Sequence, residues 1–283
     1  MSEENLFIEG KAGKLAVRVK KPAGTPKGTL VLVQGANISG QLGYDLQVPG
    51  HEGYSFMDAL VARGYAAITF SLRGYYLSEL NHDTLDVQTE QAIEDLESVL
   101  GWLKTQGVER PHLLGWSWGG RITGRFVERN PDAIDRLVLL DPALGGGQLI
   151  PFPGKEAWWQ NSYEYFYNRL ESEFTHEDVR VSVATQASEK ELNAPNGIRV
   201  ENENGSTPVR PDHITRPTLL IYGAAAGAQA YMHGVAPRGE FIEKIANDDK
   251  ALVIVPGGGD YAHIQNPRAQ IYNIVIDFLG WGA

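Results

Sequence analysis

The stretch HLLGWSWGG, residues 112–120, constrains this chain more than any other. An apolar run stops at Ser117, and a helical pattern, WGGRITGRFVERN, starts directly after it. A strand that turns straight into a helix holds its turning residue at a strained backbone angle. Side chains two positions away on either side would collide, so glycine is needed at both. Gly115 and Gly119 meet that demand around Ser117. The helix that follows aims its unpaired N–H groups at the serine hydroxyl, which suits a developing anion. The Trp118 amide is the natural first donor. The second is expected from an earlier strand-loop, VLVQGANISG, through the Ala36 amide. Gly35 lets that loop approach a substrate closely, and Gln34 or Asn37 is expected to add side-chain contacts.

Other apolar runs lie at 14–20, 29–34, 66–71, 136–141, 218–222 and 251–255. Several are apolar nearly throughout, as strands buried on both faces should be. Helical patterns fill most gaps: 54–64, 84–107, 118–130, FIEKIAND and AQIYNIVIDFL. Such alternation predicts an α/β fold with a mainly parallel sheet and helices on both faces. The segment 146–213 breaks the rhythm, with no convincing strand. It reads as a helical lid inserted into a core formed by 1–145 and 214–283. Trp158, Trp159, Tyr163, Tyr165, Phe166 and Tyr167 crowd its first expected helix. They either pack the lid onto the core or line an apolar, aromatic pocket between the lobes. Trp116, Trp158, Trp159 and Tyr163 are the candidates for substrate contact, and Trp116 stands beside the serine.

The net charge of −10 disfavours nucleic acid and anionic membranes as partners. No apolar stretch is long enough to span a bilayer, and MSEENLFIEG does not read as a signal peptide. A cytoplasmic location is expected. There is no cysteine, so thiolate chemistry and disulfides are excluded. No metal-ligand spacing, P-loop or dinucleotide fingerprint is present, so no cofactor and no metal are expected. A small molecule is the expected partner.

These segments together resemble the α/β-hydrolase-fold superfamily. VLVQGANISG matches its oxyanion loop, SLRGYYLSE the turn after the next strand, and GWSWGG its nucleophile elbow. TLLIYG matches its acid-bearing strand and VPGGGDYAHIQNP its histidine loop. The resemblance implies a serine nucleophile, but the partners depart from the pattern. Where the acid is usual, the chain reads GAAAGAQA, with Ala226 in its place. Where the histidine is usual, GGG is followed by Asp260, and His263 comes three residues later.

Several readings follow. His263 acts as the base, with Asp141 at the end of strand 136–141 as orienting acid, giving a displaced Ser117–His263–Asp141 relay for ester hydrolysis. Alternatively, Asp260 acts as a lone acid/base beside Ser117, which favours elimination, lyase-type cleavage or cyclisation of an apolar carbonyl compound. In the third reading the pocket only binds a ligand. His51, His82 and His233 lie in or near loops and read as surface histidines.

Overall fold

A computed structural model describes residues 1–226 and 235–281. His233 lies outside the described residues. The chain opens with β1 (Ser2–Gly10), β2 (Gly13–Lys21) and β3 (Thr29–Val33), followed by α1 (Gly40–Tyr44), α2 (Phe56–Ala62), β4 (Ala66–Phe70) and α3 (Thr89–Thr105). Next come β5 (His112–Trp116), α4 (Trp118–Arg129) and β6 (Leu137–Leu140). The segment after β6 holds β7 (Trp158–Gln160), α5 (Tyr163–Arg169), α6 (Glu177–Lys190), β8 (Asn193–Pro195) and α7 (Gly197–Asn204). The last elements are β9 (Thr218–Gly223), α8 (Val235–Lys244), β10 (Lys250–Val255) and α9 (Arg268–Leu279).

Eight strands form one sheet in the order β1-β2-β4-β3-β5-β6-β9-β10. Pairing is antiparallel at β1–β2 and β2–β4 and parallel across the rest. The central strands are apolar throughout because each of their faces meets a core. In β3, Leu30 and Leu32 pack into one cluster and Val31 and Val33 into the other. The first cluster takes in α2 and α9 residues such as Phe56 and Tyr272, whose rings stack 4.3 Å apart. The second takes in α3 and α4, through Leu96, Val99, Ile122 and Phe126.

One sequence expectation needs correction here, and one strand carried no sequence reading. Ser2–Gly10 is a strand that no apolar run announced. It is an edge strand that buries only Ile8, so its other positions are free to be polar. Trp158 and Trp159 sit not in a helix but in β7, which pairs antiparallel with β8. β-propensity of consecutive aromatics and the pairing partner at Asn193–Pro195 win over the helical pattern downstream.

Candidate active site

Ser117 caps α4 at φ 54°, ψ −117°, a left-handed conformation costly for any residue but glycine. Three backbone hydrogen bonds hold it there. Its N–H donates to Leu140 O at 3.0 Å, and its carbonyl accepts from Gly120 N at 3.0 Å and Ala143 N at 2.9 Å. The flanking glycines are sterically required. A Cβ on Gly115 would overlap the Gly119 carbonyl, and one on Gly119 would overlap the carbonyl oxygens of Val33 and Gln34. The elbow therefore locks against β6 on one side and against the end of β3 on the other.

The loop after β3 closes on the serine. A Cβ added at Gly35 would come within 3.4 Å of the Ser117 Cβ. Tyr75 fixes this loop by donating to Ala36 O at 2.8 Å. Gln34 does not face a ligand. It is buried, and its side-chain oxygen accepts from Leu72 N at 3.1 Å, so it braces the loop from behind.

A cavity of about 560 Å³ opens above Ser117, between the strand ends and residues 150–202. Ser117, Trp118, Ala36 and Asn37 line its floor, with Trp116 and Asp260 on one wall. Trp158, Trp159 and Tyr165 line it from the inserted segment. Tyr163 does not reach it. That ring is exposed and stacks on Tyr167 at 5.7 Å, one helix face away from Tyr165.

Three arginines also line the cavity and were not singled out in the sequence, Arg121 from α4 and Arg169 and Arg199 from the inserted segment. Arg169 forms an ion pair with Asp260. Arg199 stacks 4.1 Å above the Trp159 ring and donates to Asn37 Oδ1 at 3.1 Å. Arg121 is wholly buried and bonds Ala143 O, Asn202 and Glu201. Asn37 joins the network by donating to the Tyr165 hydroxyl at 2.9 Å. Asp260 is anchored through its backbone, whose carbonyl accepts from the Trp116 indole at 2.8 Å.

The displaced relay is not assembled. His263 is fully buried between the rings of Trp116 and Tyr44, with centroids at 4.5 and 5.7 Å, and it does not line the cavity. Burial pushes its imidazole down to about 3, against a weak opposing effect of the Gly43 backbone, so the ring is neutral at physiological pH. Asp141 is also fully buried and does not line the cavity. One carboxyl oxygen accepts from Gly223 N at 2.9 Å, and the other has no hydrogen-bond partner among the described residues. Burial, reinforced by the charge of Asp260, raises its carboxyl well above the ordinary range, despite the Gly223 N–H and Arg238. Both effects favour the protonated form of Asp141, which lies under the site. His51 and His82 do not border the cavity either.

A strained serine at a strand–helix turn, facing the glycine-containing loop after β3 on this sheet order, defines a class of protein. The family profile described as alpha/beta hydrolase fold matches residues 38–209, more than half of the chain. The chain belongs to the α/β hydrolase fold family. It is 30% identical over 135 residues to a 2-hydroxy-6-oxononadienedioate/2-hydroxy-6-oxononatrienedioate hydrolase of Paraburkholderia phymatum, covering 46% of this chain and 42% of that protein. It is 26% identical over 137 residues to an N-formylmaleamate deformylase of Pseudomonas putida, covering 48% of each. The chain therefore spans about half the length of the curated relatives it matches. Among solved structures, an esterase from Exiguobacterium antarcticum superposes with a TM-score of 0.72 at 16% identity, over 98% of this chain and 99% of that one. Among the described residues, no helix is long and apolar enough to cross a membrane.

Proposed function

We propose that the chain is a cofactor-free enzyme acting on a small carbonyl compound held over Ser117. The carbonyl oxygen sits against the amides of Trp118 and Ala36, and Asp260 is the single acid/base group. The segment 146–213 serves as lid over this site. One observation carries the reading: Ser117 and Asp260 open onto the same cavity, whereas His263 is sealed in the core and uncharged. Acyl-serine hydrolysis needs a competent base twice, once for the serine and once for water. A carboxylate is a weak base for a serine hydroxyl, yet strong enough to move a proton on an activated carbon. That favours elimination, lyase-type cleavage or cyclisation.

The substrate has an apolar body and an anionic group. The aromatic wall suits the first, and the guanidinium group of Arg199 suits the second. The relatives' names, which specify a dienedioate and a maleamate, agree with a carboxylate-bearing carbonyl compound. They also favour a second reading, hydrolysis of a bond next to the carbonyl, with Asp260 activating water in place of an imidazole. Turnover of 2-hydroxy-6-oxo-dienoates in H₂¹⁸O separates the two. Hydrolysis puts the label into a product carboxylate, and the non-hydrolytic reaction does not. No turnover of any carbonyl acid, by an enzyme shown to be folded, would sink both.

A further inference from the structure

Away from the cavity, His51, His176 and Asp178 bring one ligand atom each to within 4.8 Å of one another. We propose that they form a site for a zinc-class divalent cation that clamps α6 to the core.

The three side chains come from separate parts of the chain. His51 lies in the loop between α1 and α2, where its N–H bonds Val48 O at 3.0 Å. His176 is the N-cap of α6, and Asp178 is in that helix's first turn; His176 Nδ1 accepts a long capping bond from Asp178 N–H at 3.3 Å, which the ion would replace. No local motif announces the set, which explains why a search for ligand spacing finds none. The two elements are already held together. Ser182 and Gln186 of α6 both donate to Gln47 O, at 3.3 and 3.1 Å. The donors are thus positioned by the fold and not by the ion.

The geometry suits a four-coordinate ion. At metal–nitrogen distances of about 2.0–2.1 Å, tetrahedral ligand atoms stand about 3.3–3.4 Å apart. Here His51 Nε2 and Asp178 Oδ2 are 2.7 Å apart, and His176 Nδ1 and the same oxygen are 3.7 Å apart. Those spacings bracket the required edge, so small side-chain rotations open the triangle around an ion. The imidazole centroids are 4.8 Å apart with planes at 53°, which lets both rings point at one centre. His51 is partly buried, and its ring meets Tyr54 edge-on, which limits its rotamers. Two imidazoles and one carboxylate leave the remaining position to water, a donor set that fits zinc better than calcium or magnesium. The α6 dipole opposes a cation at its start, but Glu177 and Asp178 in the first turn offset it. None of the three residues lines the cavity over Ser117, so the ion takes no part in the chemistry there. It would pin the start of α6, while the residue after its other end, Glu191, is held to the core by Ser39.

The test uses the full chain, stripped with EDTA and dialysed against zinc chloride. The expected result is about one zinc per chain and a melting temperature raised by roughly 5 °C at zinc about a hundredfold above Kd. His51→Ala, His176→Ala and Asp178→Asn should each lose most of the bound zinc and the shift, with unchanged circular dichroism. His82→Ala should keep both. Cobalt(II) gives a second readout, because a four-coordinate site shows intense visible absorption that His51→Ala abolishes. Absence of zinc uptake by the wild-type chain would overturn the proposal, as would equal uptake by the His51 and His176 variants.

Discussion

The two halves of the candidate site contrast sharply. On the elbow side, residue identity and backbone geometry agree: Ser117 at positive φ, glycine on both flanks, and a braced loop at Gly35–Asn37. On the partner side the usual residue types are gone. By resemblance, Ala226 and Asp260 align with the usual acid and base; the nearby His263 is buried with its imidazole pushed down to about 3, and burial raises the carboxyl of Asp141. A tight strand–helix elbow depends on close backbone packing, which no side-chain substitution can imitate. Acid/base chemistry depends on one titrating side chain and its surroundings, and that can be rebuilt around a different group.

Asp260→Asn should produce the largest effect on activity. It keeps the shape of the side chain and removes its capacity to accept a proton, so kcat should fall about 10²–10⁴-fold. Ser117→Ala should cost far less, on the order of tenfold, because no acyl-serine forms. Single-turnover rates with a 2-hydroxy-6-oxo-dienoate provide the comparison. A loss of about 10⁴-fold or more in Ser117→Ala, with Asp260→Asn near wild type, would reverse the contrast and restore covalent catalysis.

The elbow side is tested through stability. Gly119→Ala gains about 1 kcal/mol of helix propensity. It also drives a methyl group into two backbone carbonyls that cannot move without displacing β3. The clash wins, and the protein should lose about 3 kcal/mol or more in urea unfolding. An unchanged midpoint would mean that the close approach of α4 to β3 is not needed.

These two sides also differ in what the sequence made legible. Buried parallel strands are apolar runs, and Gly115 and Gly119 answer a steric demand, so both could be read directly. Which of the clustered aromatics reach the cavity, and that Arg199 does, could not be read, since their direction depends on the β7–β8 pairing and on Asn37. The state of His263 was equally hidden. A histidine beside a glycine-rich loop looks functional until Trp116 and Tyr44 are seen to enclose it. Glu191 gave no signal either, standing just past the end of a polar helix while its carboxylate is buried against Ser39.

Glu191 gives a prediction of intermediate size. Burial pushes its carboxyl up to about 7, although two hydrogen bonds from Ser39 oppose the shift. The folded state therefore binds this proton more tightly than the unfolded state. Its contribution is full below the ordinary carboxylate range and is lost as pH rises through about 7, up to about 3 kcal/mol in all. His263 acts in the opposite sense. Its depressed imidazole favours the fold above the ordinary histidine range, and that advantage is lost as pH falls towards 3. In the wild type the two partly cancel between about pH 4.5 and 6.5. Glu191→Gln removes one of them, so urea midpoints should then rise more steeply with pH across that window and stop falling towards neutrality. A pH profile identical to wild type would show that Glu191 titrates normally in the fold.

The smallest effect is expected at Asp141, and it bears most directly on the missing relay. An orienting acid must be charged and must face the base it orients. For Asp141, burial and the charge of Asp260 raise its carboxyl and so favour the protonated form, and its bonded oxygen accepts from the Gly223 backbone. Asn offers the same acceptor in nearly the same volume, and it tolerates the positive φ of 40° at this position as well as Asp does. Replacing a carboxyl in that form with an amide leaves no charge uncompensated. Asp141→Asn should therefore change stability by less than about 1 kcal/mol and kcat by no more than about threefold. In a working Ser–His–Asp relay the same substitution costs about 10⁴-fold, because the base is held in the wrong tautomer. A loss approaching that size, in a variant whose urea midpoint is unchanged, would mean that Asp141 and His263 rearrange into a relay when substrate binds. The partner side would then be a concealed copy of the usual machinery and not a replacement for it.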